Sequence, residues 1–190
     1  MNRVLIVSNT EKSIAVFIDM LSQNSYDEIV TVKNCGEARR LFVERDFDLC
    51  IINTPLPDEF GEKLAYTIVS NSICQVILVV RAQIYEEVTE KVEDLGIYTI
   101  AKPISKNIFW SALKLSNAAF HKMKQLKREN NKLHQKIHDI KFIDRAKWLL
   151  IEHMNLSEQE AHRYIEKQAM DQRLTKKEVA ARVMKQYDVR

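Results

Sequence analysis

Glycine and proline are scarce and unevenly placed. The 190-residue chain has three of each, Gly36, Gly61 and Gly96 with Pro55, Pro57 and Pro103, and neither occurs after position 103. The remaining 87 residues lack the two strongest backbone breakers and are rich in Lys, Glu, Gln, Leu and Ala. They read as helices interrupted only by capping residues. Cysteine is also sparse: Cys35, Cys50 and Cys74 are an odd number without CxxC or Cys/His spacing, which argues against a disulfide framework or a zinc site and for buried, reduced thiols. No apolar run approaches the roughly 20 residues that span a bilayer, and Met1-Asn-Arg-Val-Leu-Ile-Val opens directly on a strand pattern. The expectation is a cytoplasmic protein with neither membrane segment nor export signal. The five histidines and three cysteines assemble into no nucleophilic, metal-binding or phosphate-cradling set, so no enzyme activity, catalytic residue, metal or cofactor is expected.

What is present supports a folded chain of one ordinary domain and a smaller one, with 46% hydrophobic residues. The net charge of +3 conceals an asymmetry. Residues 1–120 carry 12 Lys and Arg against 16 Asp and Glu, net −4, whereas residues 121–190 carry 17 against 10, net +7. Only the C-terminal part suits a polyanionic partner.

In the first part, apolar runs at Val4–Val7, Ile29–Val32, Leu49–Ile52, Val76–Val80 and Tyr98–Ala101 alternate with amphipathic stretches. This pattern predicts an α/β fold with a five-stranded parallel sheet covered on both faces. In such sheets the site lies at the carboxyl ends of the strands. There the third run ends at Asn53, ahead of a Pro-rich loop, Thr54-Pro-Leu-Pro-Asp58, and Gly61. Ser8-Asn9 follow the first run, Arg81 ends the fourth, and Lys102-Pro103 ends the fifth. Residues 1–120 resemble the response-regulator receiver family, a flavodoxin-like fold. The resemblance implies a phosphorylated aspartate at position 53, an acidic Mg²⁺-binding pair at 8 and 9, a Ser or Thr at 81 and a lysine at 102. Only Lys102 meets that pattern. An amide at 53 is a poor nucleophile and offers no charge to Mg²⁺, so Ser8, Asn9, Asn53, Arg81 and Lys102 read as a degenerate phosphoacceptor site. Arg81 is a candidate to fill the vacated acidic pocket as a fixed cation.

From Ala112 a heptad register runs along the chain, with Ala119, Leu126, Leu133 and Ile140 at d and Met123, Asn130 and Ile137 at a. Over residues 112–140 this predicts a long helix, continuous with the last receiver helix, that forms a homodimeric coiled coil. A single polar Asn130 at an a position favours a parallel two-stranded register.

Two capping boxes, Ser157-Glu-Gln-Glu160 and Thr175-Lys-Lys-Glu178, predict two further helix starts. With Ile140–Met154 as first member, residues 137–190 form a predicted bundle of three helices. Lys147 breaks its apolar stripe of Ile140, Ile143, Leu150, Ile151 and Met154, so the face must open there or the lysine stem must snorkel. The runs Asp144-Arg145-Ala146-Lys147-Trp148, Ser157-Glu-Gln-Glu-Ala161 and Gln168-Ala169-Met170-Asp171-Gln172-Arg173 resemble the ANTAR domain, an RNA-binding module of transcription antiterminators. Trp148 stands in place of that family's usual glycine. The resemblance implies a dimeric regulator that binds hairpin loops of nascent mRNA and acts on the transcription complex. Candidate RNA-binding residues are Arg145, Ala146, Lys147, Trp148, Arg163, Gln168, Met170, Arg173, Thr175 and Lys176. Two other readings stay open: a DNA-binding response regulator, against which the want of a glycine for a helix-turn-helix argues, and a coiled-coil adaptor that binds no nucleic acid.

Overall fold

Near-continuous apolar runs form strands when both of their faces are covered. The computed structural model describes residues 2–22 and 25–187 and places these runs in β1 (Arg3–Val7), β2 (Glu28–Val32), β3 (Leu49–Asn53), β4 (Gln75–Arg81) and β5 (Tyr98–Lys102). They pair in parallel in the order β2-β1-β3-β4-β5. Between them lie α1 (Glu11–Leu21), α2 (Cys35–Glu44), α3 (Glu62–Asn71) and α4 (Tyr85–Val92). The strand period of two splits the core. Val4, Ile6, Ile51, Ile77 and Val79 join Phe17 and Met20 of α1 and Phe109 and Leu113 on one face of the sheet. Leu5, Val7, Ile52, Leu78 and Val80 join residues of α2, α3 and α4 on the other. All three cysteines are free and buried, and burial pushes each thiol upward.

The breaker-free stretch begins with a single helix of 49 residues, α5 (Lys106–Met154), followed by α6 (Glu158–Gln172) and α7 (Lys176–Tyr187). The chain divides into two compact units, residues 1–125 and 126–190. In the second, Ala146 and Leu150 of α5, Ala161, Ile165 and Ala169 of α6, and Val179, Ala180 and Val183 of α7 form one buried core.

Both capping boxes form. Ser157 accepts from the Glu160 amide while the Glu160 carboxylate accepts from the Ser157 amide. Thr175 and Glu178 repeat the exchange at α7. Without glycine, the left-handed turn residues are Asn155, at φ 58°, and Arg173, at φ 53°. Asparagine tolerates that conformation, whereas arginine is uncommon there. Arg173 at the end of α6 therefore makes a three-residue turn into α7 without the glycine that such a turn commonly contains. The glycine-based objection to a helix-turn-helix thus has no structural force.

Among the described residues, no helix is long and apolar enough to cross a membrane.

Candidate functional site

The first candidate region is the carboxyl edge of the sheet. Ser8 is fully buried just past β1, and Asn53 is almost so at the end of β3. The Asn53 side-chain amide donates to the Ser8 hydroxyl at 2.9 Å, so the two polar groups satisfy each other where the receiver resemblance implies carboxylates. Asn9 is exposed beside them. The following loop is fixed from both sides. Thr54 donates its amide and hydroxyl to the Val79 carbonyl at 2.9 and 3.1 Å, and Asp58 accepts from the Cys35 and Gly36 amides at 3.1 and 2.9 Å. Gly61 closes the loop at φ 109°, where a Cβ would lie 2.9 Å from Ile52 Cγ2.

Lys102 donates its ammonium to the Thr54 carbonyl. Burial, and then the charge of neighbouring Arg81, holds its pKa below the usual lysine value. Arg81 pairs in register with Lys102 but is exposed. It lies outside the groove that Asn53 and Lys102 line, so it does not fill the vacated pocket: it sits at the very end of β4, where its side chain reaches solvent. Among the described residues, no three His, Cys, Asp or Glu side chains gather to hold a metal.

The second region is the long helix. Met123, Leu126, Leu133, Ile137 and Ile140 are 46–58% exposed, and Asn130 is exposed among them. Ala119 differs. It is half-buried and shares a groove with Met123, Leu95 and Tyr98. Ile108 and Leu115, 57% and 55% exposed, lie on the same side of α5 by helical spacing. Their seven-residue separation was the available signal, masked by the receiver core residues Phe109, Ala112 and Leu113 between them.

The third region is the helical end, where the candidate residues divide sharply. Ala146 is fully buried in the core and has no surface to offer a ligand; its small side chain serves the helix crossing. Thr175 is exposed, but its hydroxyl is engaged in capping α7. Gln168 is half-buried and accepts from Gln172. Lys176 is paired with Glu166 at 2.6 Å.

Lys147 does snorkel. Its side chain is only 15% exposed, yet its ammonium reaches Asp144 at 2.8 Å and Glu158 at 3.3 Å, which raises its pKa. Trp148 next to it is 70% exposed and Met170 is 79% exposed. Trp148, Lys147, Asp144, Ile151 and Glu158 enclose a surface depression of about 310 Å³. Arg145, Arg163 and Arg173 are exposed, Arg163 and Met170 on the face of α6 opposite its buried residues by helical spacing. Tyr164 packs partly into the core, which leaves Trp148 as the open aromatic face.

Residues 131–184 match the family model of the ANTAR domain. The transcriptional regulatory protein PdtaR of Mycobacterium tuberculosis is 28% identical over 183 residues, covering 96% of this chain and 89% of the relative. Solved receiver domains share the N-terminal fold. That of an HD domain-containing protein from Pseudomonas fluorescens Pf-5 superposes with a TM-score of 0.58 at 22% identity, covering 65% of this chain and 92% of that one. The HemR receiver from Leptospira biflexa gives 0.53 at 25%, covering 61% and 94%. This chain has the architecture of a response regulator, a receiver followed by an ANTAR domain. The ANTAR motif residues can accordingly be sorted by what they do. Ser157 and Glu160 start α6, Ala146, Ala161 and Ala169 allow the three helices to approach, and Trp148, Met170, Arg145 and Arg173 face outward together with Glu158, Gln159, Asp171 and Gln172. The ANTAR match and the likeness to a transcriptional regulatory protein point to a regulator.

Proposed function

We propose that this protein is a transcription antitermination regulator that binds paired hairpin loops of nascent mRNA, as a parallel homodimer, through the Trp148 surface of its ANTAR domain. The observation that carries the reading is the 70% exposed Trp148 on a folded ANTAR domain, beside Lys147 and Arg145. An indole left in water has apolar area to gain by stacking. Sequence-specific RNA readers take unpaired bases in this way, on aromatic or guanidinium planes. Arg145, Arg163, Arg173 and the net charge of +7 over residues 121–190 supply phosphate attraction. Lys147 contributes differently: its ammonium bridges Asp144 and Glu158 and offsets one of their two charges, which lessens the repulsion of phosphate at the edge of the indole.

Dimerisation runs along α5. The exposed stripe from Met123 to Ile140 has the apolar content of a coiled-coil seam, and Asn130 at an a position fixes a two-stranded register. Two ANTAR domains then meet two loops, and avidity multiplies the modest affinity of each. The receiver takes no part in ordinary phosphoryl chemistry, because Asn53 is no nucleophile and Ser8 and Asn9 give Mg²⁺ no carboxylate.

The tight α6–α7 turn at Arg173 makes duplex DNA the comparator that matters. Filter binding of the full chain to an RNA with two closely spaced hairpin loops, against a duplex DNA of the same sequence, tests the reading. The expected result is preference for the RNA, with affinity falling with salt at a slope of about −0.7 per neutralised phosphate. Equal affinity for both would remove it.

A further inference from the structure

The vacated phosphoacceptor edge is not inert. Lys12 and Ser13 from the first turn of α1, Asn53 from β3 and Lys102 from β5 line one groove of about 320 Å³, walled by Phe17 and Pro103. No carboxylate lines it. Glu11, the acidic residue on the same turn of α1, is drawn away to Lys33 at 3.5 Å. Lys102 meets only a carbonyl, that of Thr54, and Arg81 adds positive charge from the neighbouring strand end. In an ordinary receiver the aspartates and Mg²⁺ balance such a lysine; here nothing within the groove does.

We infer that this groove binds a free phosphate-type oxyanion, non-covalently and without metal. The donor set suits a tetrahedral anion. Lys12 and Lys102 supply charge, and the Ser13 hydroxyl, 2.7 Å from the Thr10 hydroxyl, lines the groove as a further polar group. The positive end of α1 adds to the same field. The apolar wall of Phe17 and Pro103 limits screening, so charge-assisted bonds made there are stronger than on open surface. The inference is independent of the RNA reading and is measured with no RNA present.

The test is thermal denaturation of the full chain in chelator, with sodium phosphate or lithium acetyl phosphate titrated against sodium chloride at matched ionic strength, alongside intact mass. A saturable rise in midpoint is expected with at least one phosphate compound and not with chloride. Stabilisation by inorganic phosphate assigns the ligand to free phosphate, and stabilisation by acetyl phosphate alone assigns it to acyl phosphates. Lys12→Gln, an exposed substitution that leaves the Thr54–Lys102 bond intact, should raise the dissociation constant about tenfold, the scale of one charge-assisted bond. Asn53→Asp should also weaken binding without metal, because it puts a carboxylate into the anion's place. No saturable shift in the wild type, an unchanged Lys12→Gln, tighter binding by Asn53→Asp in chelator, or a covalent adduct of about 80 Da would each overturn the inference.

Discussion

The two units of this chain separate scaffold from function in opposite ways. In the receiver unit the residues implied by the family resemblance sit at the edge of the sheet and have been exchanged, Asn53 and Ser8 for carboxylates, while the core of Val4 to Val7, Leu49 to Ile52 and Val76 to Val80 is fully buried. The fold therefore survives the exchange of these edge residues. In the helical unit most of the family motif is itself scaffold: Ala146, Ala161 and Ala169 are core and Ser157 is a cap. Edge residues can change at little cost to folding, whereas motif residues in a three-helix core cannot.

The largest expected effect probes the link between two ANTAR domains. Leu133→Asp with Ile137→Asp places charges in the exposed seam, and sedimentation should show a monomer where the wild type is a dimer at tens of micromolar, about the range in which a coiled coil is populated. Affinity for a two-loop RNA should fall by about 100-fold, the lower end of what avidity gives. A monomeric wild type would remove the seam from the account.

A smaller effect sharpens the contrast between edge and core. Ala146→Leu overpacks the helix crossing and should destabilise the ANTAR unit by about 1–3 kcal/mol. Asn53→Ala, at the receiver edge, loses one bond to Ser8 and should cost about 1 kcal/mol. Chemical denaturation followed by circular dichroism for both variants checks the order. A tolerated Ala146→Leu would return that position to the surface.

Much of this division was legible before any coordinates. Strand period and breaker placement located the sheet and the helical stretch, and Ser157 and Thr175 announced α6 and α7, because these signals are local. Burial was not legible for Ala146, since an alanine beside Arg145 and Lys147 looks the same whether it faces a helix or water. Nor was the partner choice of Lys147: its charge on an apolar stripe signalled an exception, but that Asp144 and Glu158 receive it depends on where α6 begins. Arg173 gave no sign of its left-handed conformation, for which the sequence expects Gly or Asn.

The smallest effect is on acid stability. Backbone bonds from Ser157 and Thr175 hold the Glu160 and Glu178 carboxyls below their ordinary value of 4.5. A depressed folded-state value contributes stability that is present above the unfolded pKa and is lost as pH falls through the folded one. Glu160→Gln with Glu178→Gln should thus flatten the loss of helicity below about pH 4.5. An unchanged acid transition by circular dichroism would show that the caps do not govern it.

The central claim is that the exposed indole of Trp148 reads unpaired RNA bases. Filter binding of the 190-residue chain to a two-loop RNA, comparing wild type with Trp148→Phe and Trp148→Ala, tests it most directly. Loss of one stacked base costs about 1–3 kcal/mol, so Trp148→Ala should bind at least about fivefold more weakly and Trp148→Phe should recover most of that loss, with helicity unchanged in both. Wild-type affinity in Trp148→Ala would contradict the account.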